Sequence, residues 1–540
     1  MSARRPARPA VVLYDTTLRD GLQGFGLQLS AEQKVAVARE LDGLGVGYVE
    51  AGWPGANPRD TEVFARLRRE PLNSARLAAF GATRRKGHTA AQDPVLGATL
   101  AARTPVLTLV GKASAWQVRQ VLGVSLRANL RMVQDSVAFG VAQGREVVFD
   151  AEHFFDGSDG DPGYSLEVAE CAVRAGASWV VLCDTNGGQL PGAVARLTAR
   201  ARTRLGDRLG IHCHNDTGTA VASSLAALEA GARMVQGTVN GTGERCGNAD
   251  LLVIAANLQL KCGIPVLEER ALARLAEVSR HLDALLNRPP DPSRPYLGEA
   301  AFLHKAGLHA QGVARHRDAY QHVDPALVGN RTRTVVSDQS GRSNIASKLR
   351  QLELPPVSSE EMARLVRKLK ELESSGWAFE DADASFELLV TRTCSGGRRP
   401  FSLQESLVVA HETQGLSARV GAGQVQAQVK VRVGTAVVHT AAEGFGPVEA
   451  LDLALRRALT PHFPELATIE LVDYRVRVID GDRGTGATVR VGIDSWDGQR
   501  RWTTVGCSRN ILQASALALV DSYEWAVGHA APQVELCPSA

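Results

Sequence analysis

The sequence has no unbroken apolar run of about 18 residues, the length a helix needs to cross a bilayer, so no membrane span is expected. Its opening stretch, MSARRPARPA, carries Arg-Pro clusters and no apolar segment ahead of the first strand-like run. A frayed tail is expected there rather than a secretory signal. The eight cysteines form no CxxC pair and no dense framework along 540 residues. They read as reduced thiols, which fits a cytoplasmic protein. Charge of one sign is also missing: 61 Lys and Arg against 58 Asp and Glu leave a net +3, which argues against a nucleic-acid surface.

What remains is a globular balance, 44% apolar and 22% charged. The length corresponds to three or four domain equivalents, or to one large barrel with smaller modules. Short Val-, Leu- and Ile-rich runs recur through the first half: VVLYD (11–15), YVEAGW (48–53), RLAAFGATRR (76–85), PVLTLVGK (105–112), EVVFDAEHF (146–154), WVVLCDTNG (179–187), LGIHCHND (209–216) and RMVQGTVNG (233–241). Continuous apolar runs suit strands covered on both faces. Amphipathic stretches lie between them, such as 30–45, where Ser30 and Gln33 predict a capping box. Eight such alternations predict a (β/α)8 barrel over 1–285, with a doubly wound open sheet as the alternative. The polar residues gather at the strand C-termini, the face on which barrel enzymes carry their chemistry.

Residues 286–384 read differently. A Pro-rich linker (287–296) leads to mostly helical subdomains, ending in an amphipathic helix at 358–376 with Ser at its start and Gly at its end. From 385 to 540 the chain is expected to form a β-rich α+β domain and a tail. A faint repeat, 424–460 and 487–525, reads twice as two strands followed by a helix. Trp496-Asp497-Gly498 marks a hairpin turn.

Candidate chemistry concentrates in three segments. His212 and His214 lie two apart on one strand, so both imidazoles point to one face, a pattern that fits either a divalent cation or a packed histidine pair. Asp15 and Asp20 flank the end of the first strand, which a closed barrel separates from the seventh by only one strand. Asp15 is expected to form a turn with Thr16 and Thr17, and Asp20 to supply the oxygen ligand. Two His and one carboxylate leave room for substrate and water. Arg19 beside Asp20 can stabilise a developing oxyanion or pair with Glu50, and both can hold together. In the Gly-rich segment 240–251, Asn248 reads as a further ligand or as the N-cap of the next helix. Glu152, Thr185 and Asn186 end strands five and six.

These motifs resemble a known family. Asp15-Thr16-Thr17-Leu18-Arg19-Asp20-Gly21 with Gln23, His212-Cys213-His214-Asn215-Asp216, and Asn240 through Asn248 are similar to the signatures of the isopropylmalate, homocitrate and citramalate synthases. HKAGLHAQGV (304–313) resembles their downstream catalytic subdomain, and the β-rich region their C-terminal allosteric domain. Segments 50–60, 79–87, 150–157, 181–188 and 336–345 are most similar to the citramalate branch, which condenses acetyl-CoA with pyruvate on a route to isoleucine.

The resemblance implies a divalent cation (Mn²⁺, Mg²⁺, Zn²⁺ or Co²⁺) held by Asp20, His212, His214 and Asn248. It implies Arg19, Glu152 and His309 in catalysis, and Gln23, Glu50 and Thr185 at the substrate. It further implies acetyl-CoA as co-substrate, a homodimer or larger homo-oligomer exchanging the downstream region between subunits, and isoleucine as feedback effector. Alternatives are synthases for longer 2-oxo acids, 2-isopropylmalate or homocitrate synthase, and a lyase on the same barrel. A biotin-dependent carboxyltransferase would bring a Met-Lys-Met biotinyl module, which this sequence lacks.

Overall fold

The computed structural model describes residues 11–304, 309, 312–313, 315–334, 342–394, 399–411 and 424–530. Both terminal tails, most of segment 305–311 and residues 335–341 lie outside the described residues. The chain divides into two compact units, residues 1–302 with 323–331, and residues 303–322 with 332–540.

The first unit is built on eight parallel strands: β1 (Val12–Asp15), β2 (Tyr48–Glu50), β3 (Arg76–Ala82), β4 (Val106–Lys112), β5 (Glu146–Glu152), β6 (Trp179–Asp184), β7 (Leu209–Cys213) and β8 (Met234–Gly237). They close in sequence order, β8 pairing with β1 through Val12↔Met234 to Asp15↔Gly237. Each apolar run contributes one strand, and the barrel supersedes the open-sheet alternative. Side chains alternate between two cores. Tyr14, Tyr48, Val106, Val148, Val181 and Met234 fill the barrel interior, where Tyr14 stacks on Tyr48 with ring centroids 5.2 Å apart. The other face packs against the helices.

Local signals set the helices. Ser30 accepts from the Gln33 amide while Gln33 returns a bond to the Ser30 N–H, the full capping box, and the helix Ala31–Leu44 ends at Gly45 with φ 91°. Its Val35, Ala38, Leu41 and Leu44 enter the outer core. Truncating fully buried Leu41 to Ala would cost about 2–5 kcal/mol. Tyr296, the last residue of the expected linker, and Leu297 and Phe302 just beyond it bury themselves in this same core.

In the second unit, the helix Ser359–Ser374 carries a second capping box, Ser358 with Glu361. The expected β-rich boundary at 385 falls inside a helix, Asp383–Cys394. Each repeat has one more strand than its sequence pattern shows: β9 (Phe401–His411), β10 (Gln424–Val433) and β11 (Ala436–Gly444) precede a helix at Pro447–Leu459, and β12 (Glu470–Val478), β13 (Val489–Trp496) and β14 (Arg501–Ser508) precede one at Ile511–His529. The additional strands, β9 and β12, lie at the edge of their antiparallel sheets and are largely exposed. Both carry apolar side chains that stay exposed, Leu407 and Val409 on β9 and Val472, Val476 and Val478 on β12. The hairpin at Trp496-Asp497-Gly498 forms as expected, with Gly498 at φ 96°. No described helix is long and apolar enough to cross a membrane.

Candidate active site

The strand ends deliver the site. β1 terminates at Asp15, whose carboxylate accepts from the Thr17 amide at 2.9 Å and the Thr17 hydroxyl at 2.8 Å. This turn is the expected role of Asp15, and it sets the path of the chain toward Arg19 and Asp20. On β7, His212 and His214 project the same way, with Nε2 atoms 3.3 Å apart. Asp20 Oδ2 lies 3.2 Å from His212 Nε2 and 3.8 Å from His214 Nε2. All three side chains are buried, and their ligand atoms gather within 4.8 Å of one another.

This arrangement fits a cation. Two imidazole nitrogens and a buried carboxylate oxygen facing one point need a positive charge between them. His212 is held ready for it. Its Nδ1 lies 2.8 Å from Gln236 Oε1, leaving Nε2 toward Asp20 and His214. Asn248 is also consistent with the set. Its backbone bridges to His214, its Nδ2 donates to the Thr242 carbonyl at 3.0 Å, and its buried Oδ1 has no hydrogen-bond partner among the described residues. The N-cap reading of Asn248 is corrected: Asp250 caps the helix Leu251–Leu260, accepting from the Leu252 and Val253 amides. The loop carrying Asn248 closes tightly. Gly247 has φ 87°, and a Cβ there would collide with the Gly241 carbonyl oxygen.

Arg19 is fixed from three sides. Nε donates to Glu50 Oε1 at 2.6 Å, Nη1 lies 3.5 Å from Asp20, and the guanidinium stacks 3.9 Å over the Phe80 ring. The second Glu50 oxygen accepts from Tyr14 Oη at 2.9 Å, and Tyr14 also bonds Thr108. Thus Glu50 holds the arginine, while Asp150 and Gln236 brace His212. Gln236 Nε2 donates to Asp150 Oδ1 at 3.0 Å.

Electrostatics follow from these contacts. Burial would raise the Asp20 carboxyl, but Arg19 and His212 overcome it and hold the group well below the ordinary carboxylate range. Burial and the neighbouring charge of His212 push His214 down to about 4. Burial, then Glu50, push Asp150 upward. Burial also raises Asp15, to about 7, against its two Thr17 hydrogen bonds.

A cavity of about 330 Å³ opens over this floor. Arg19, Asp20, Gln23, Glu152, Thr185, His212 and His214 line it, with Trp53, Phe80 and Val110 as apolar wall. Glu152 pairs with Lys112 at 2.7 Å. Thr185 Oγ1 accepts from the His153 amide at 2.8 Å, and the Thr185 carbonyl accepts from Arg245 Nη2, which is itself paired with Asp216. Asn186 turns to Asp156 instead. His309 belongs to the second unit. It is exposed there, stacked on Tyr320 with ring centroids 4.2 Å apart.

Sequence reasoning misses Asp150, Gln236 and Tyr14. A signal exists for the first two. Asp150 lies two residues before Glu152 on β5, hence on the same face, and Gln236 is a polar residue inside an apolar run, in register with His212.

Known proteins share this geometry's sequence frame. Residues 10–281 match the HMGL-like family model, 296–376 the homocitrate synthase post-HMGL domain-like model, and 380–527 the LeuA allosteric (dimerisation) domain. The (R)-citramalate synthase of Synechocystis sp. is 46% identical over 95% of this chain and 95% of its own length. That of Aquifex aeolicus is 44% identical over 95% and 97%, and that of Streptomyces coelicolor 46% over 95% and 96%. With a matching barrel, a matching downstream order of domains and end-to-end relatives at this identity, the chain belongs to the HMGL-like family and, within it, to the (R)-citramalate synthases.

Proposed function

We propose that the protein condenses acetyl-CoA with pyruvate and water to give citramalate and CoA, as a cytoplasmic, metal-dependent acyltransferase in isoleucine biosynthesis. The observation that carries the reading is the convergence of Asp20, His212 and His214 beside an immobilised Arg19. Asp20, His212 and His214 would hold the cation, with Asn248 Oδ1 as a further donor. When bound there, a divalent cation supplies Lewis-acid polarisation of the keto carbonyl.

The chain's own residues account for the remaining steps. Thr185 and Gln23 orient the keto acid against the floor of the cavity. A base takes a proton from the acetyl-CoA methyl, a role assigned to His309 with support from Glu152. The resulting carbon nucleophile forms a C–C bond to C2 of pyruvate as the carbonyl π pair moves to oxygen. Arg19, preorganised by Glu50 and Phe80, stabilises that oxyanion without reorganising. Water then cleaves the thioester C–S bond, and CoA leaves as the thiol. The second unit is assigned to homodimerisation and feedback, with isoleucine as the effector.

Thiol release from acetyl-CoA with Mn²⁺ tests the reading across pyruvate, 2-oxoisovalerate and 2-oxoglutarate. A strong preference for pyruvate with citramalate as product is expected. Preference for a longer 2-oxo acid would overturn the substrate, and no release with any of them the reaction.

A further inference from the structure

Gln236 and Asp150 stand beneath His212 as a buried polar pair. Gln236 is fully sequestered and Asp150 is 3% exposed, and a buried polar side chain is costly unless its hydrogen bonds are made. Theirs run in one line across the barrel floor. Asp150 Oδ1 accepts from Gln236 Nε2 at 3.0 Å, and Gln236 Oε1 lies 2.8 Å from His212 Nδ1. In register, Gln236 sits directly opposite His212 on the neighbouring strand.

The direction of these bonds has a chemical consequence. A primary amide has one donor end and one acceptor end, and a neutral imidazole likewise has one nitrogen of each kind. A carboxylate only accepts, so it draws the NH₂ of Gln236 toward itself. That turns Oε1 toward His212, which then must carry its proton on Nδ1. In the neutral, cation-binding form Nε2 would then present its lone pair toward Asp20 Oδ2 and His214 Nε2. The opposite amide orientation would place two donors against each other at His212 unless the proton moved to Nε2, where it would occupy the point on which the three ligand atoms converge.

We infer that Asp150 and Gln236 are positioning residues that set the tautomer of His212, and thereby the cation affinity of the Asp20–His212–His214 cluster. The inference rests on the metal-site reading of that cluster. Outer-shell partners of this kind typically change metal affinity by about 10- to 100-fold when removed.

Two variants separate the relay from packing. Asp150→Asn is isosteric and removes the bias, because an asparagine can present either its oxygen or its NH₂ to Gln236. Gln236→Met keeps the volume and removes the acceptor. Full-length protein is stripped with chelator, and free Mn²⁺ is followed by electron paramagnetic resonance during titration, with Asp20→Ala as the control that removes a ligand. The expected result is Mn²⁺ binding weaker by about 10-fold or more in both variants. Saturating Mn²⁺ should restore most of the parental kcat, a rescue that misfolding would not give. Parental Mn²⁺ affinity in Asp150→Asn and Gln236→Met, with binding lost in Asp20→Ala, would overturn the relay and leave the metal site standing. Equal binding in the parent and in Asp20→Ala would overturn both.

Discussion

Two of the arginines that the molecule sets between carboxylates, Arg19 and Arg392, belong to clusters that differ in how they end. In the barrel, Arg19 meets Glu50 and Asp20, and the polar chain runs on to His212, His214 and Asn248. It stops with unmet hydrogen-bonding capacity: among the described residues Asn248 Oδ1, an acceptor, and His214 Nδ1, on the far side of the ring from Asp20, are buried without a partner. In the C-terminal unit, Arg392 donates Nε to Glu524 Oε1 at 3.0 Å and Nη2 to Asp521 Oδ1 and Glu524 Oε2, both at 2.6 Å. Asp521 takes a further bond from Ser385 at 2.8 Å, and Ser385 accepts from the Val505 amide. There the circle closes, and among the described residues no buried atom of the cluster is left without a partner. Burial of charge alone therefore does not mark a site. Incomplete satisfaction, aimed at one point beside a cavity, does.

The sharpest way to break the comparison is at Asp20. Asp20→Ala removes the only carboxylate among the three candidate ligands. Turnover should fall below detection while the melting temperature holds within a few degrees, because an open cluster contributes little to folding. Retained turnover would sink the metal assignment.

The closed cluster should answer in the opposite currency. Arg392→Met removes the close cation from Asp521 and Glu524, 9% and 5% exposed, leaving only Arg399, 3.7 Å from Glu524 Oε2. Breaking such a pair costs about 3 kcal/mol or more. A urea midpoint should fall accordingly, with kcat at saturating substrates unchanged in the folded fraction. Adding Asp521→Asn and Glu524→Gln to Arg392→Met should recover most of the loss. A variant as stable as the parent would show that the cluster is not the closed, stabilising element described.

A smaller loss is expected from Arg19→Lys. The charge survives, but a lysine cannot donate a fixed bond to Glu50 while stacking flat on Phe80. Loss of one preorganised oxyanion donor lowers kcat by about 10²-fold or more. The KM for pyruvate should move far less than kcat, and a purely electrostatic role for Arg19 would instead leave kcat nearly intact.

The two regions also differ in how legible they are. The barrel strands are buried on both faces, so each declares itself as an apolar run, and the ligands sit on motifs whose spacing matches strand geometry. Asp15, Asp20, Arg19, Glu152, Thr185 and the two histidines can be placed at strand ends from the sequence alone. Gln236 and Asp150 cannot be paired that way, because their contact joins β8 and β5 side chains across a closed barrel, and one sequence carries no register. In the C-terminal unit β10 and β13 are read from the sequence while the exposed edge strands β9 and β12 are passed over, although Tyr474 to Val478 on β12 also alternates apolar and charged residues. Arg392 stands 129 and 132 residues from Asp521 and Glu524, and nothing local foretells their meeting.

The finest test of the closed region is its outer edge, where His529 ends the helix Ile511–His529. Its Nε2 lies 3.0 Å from Glu387 Oε1, its Nδ1 2.8 Å from the Trp525 carbonyl, and its ring stacks on Trp525 at 4.0 Å. The Glu387 hydrogen bond raises the histidine above its ordinary value, and a cation at a helix C-terminus is favoured as well. Glu387 moves the other way: burial would raise it, but the bonds from His529 and Trp525 outweigh that and lower it. A raised histidine stabilises the fold fully below its unfolded value of about 6.5 and loses that contribution as pH climbs through the folded one. A depressed glutamate contributes above about 4.3 and fades only under acid. The pair is thus worth most between roughly pH 5 and 6.5. Its partial exposure limits it to a few tenths of a kcal/mol. His529→Ala should therefore lower the urea midpoint relative to the parent at pH 5.5, and the gap should narrow at pH 8.5 to what the lost Trp525 stacking alone accounts for. A gap equally wide at both pH values would mean that the histidine is held by stacking and its backbone bond, with no contribution from its charge.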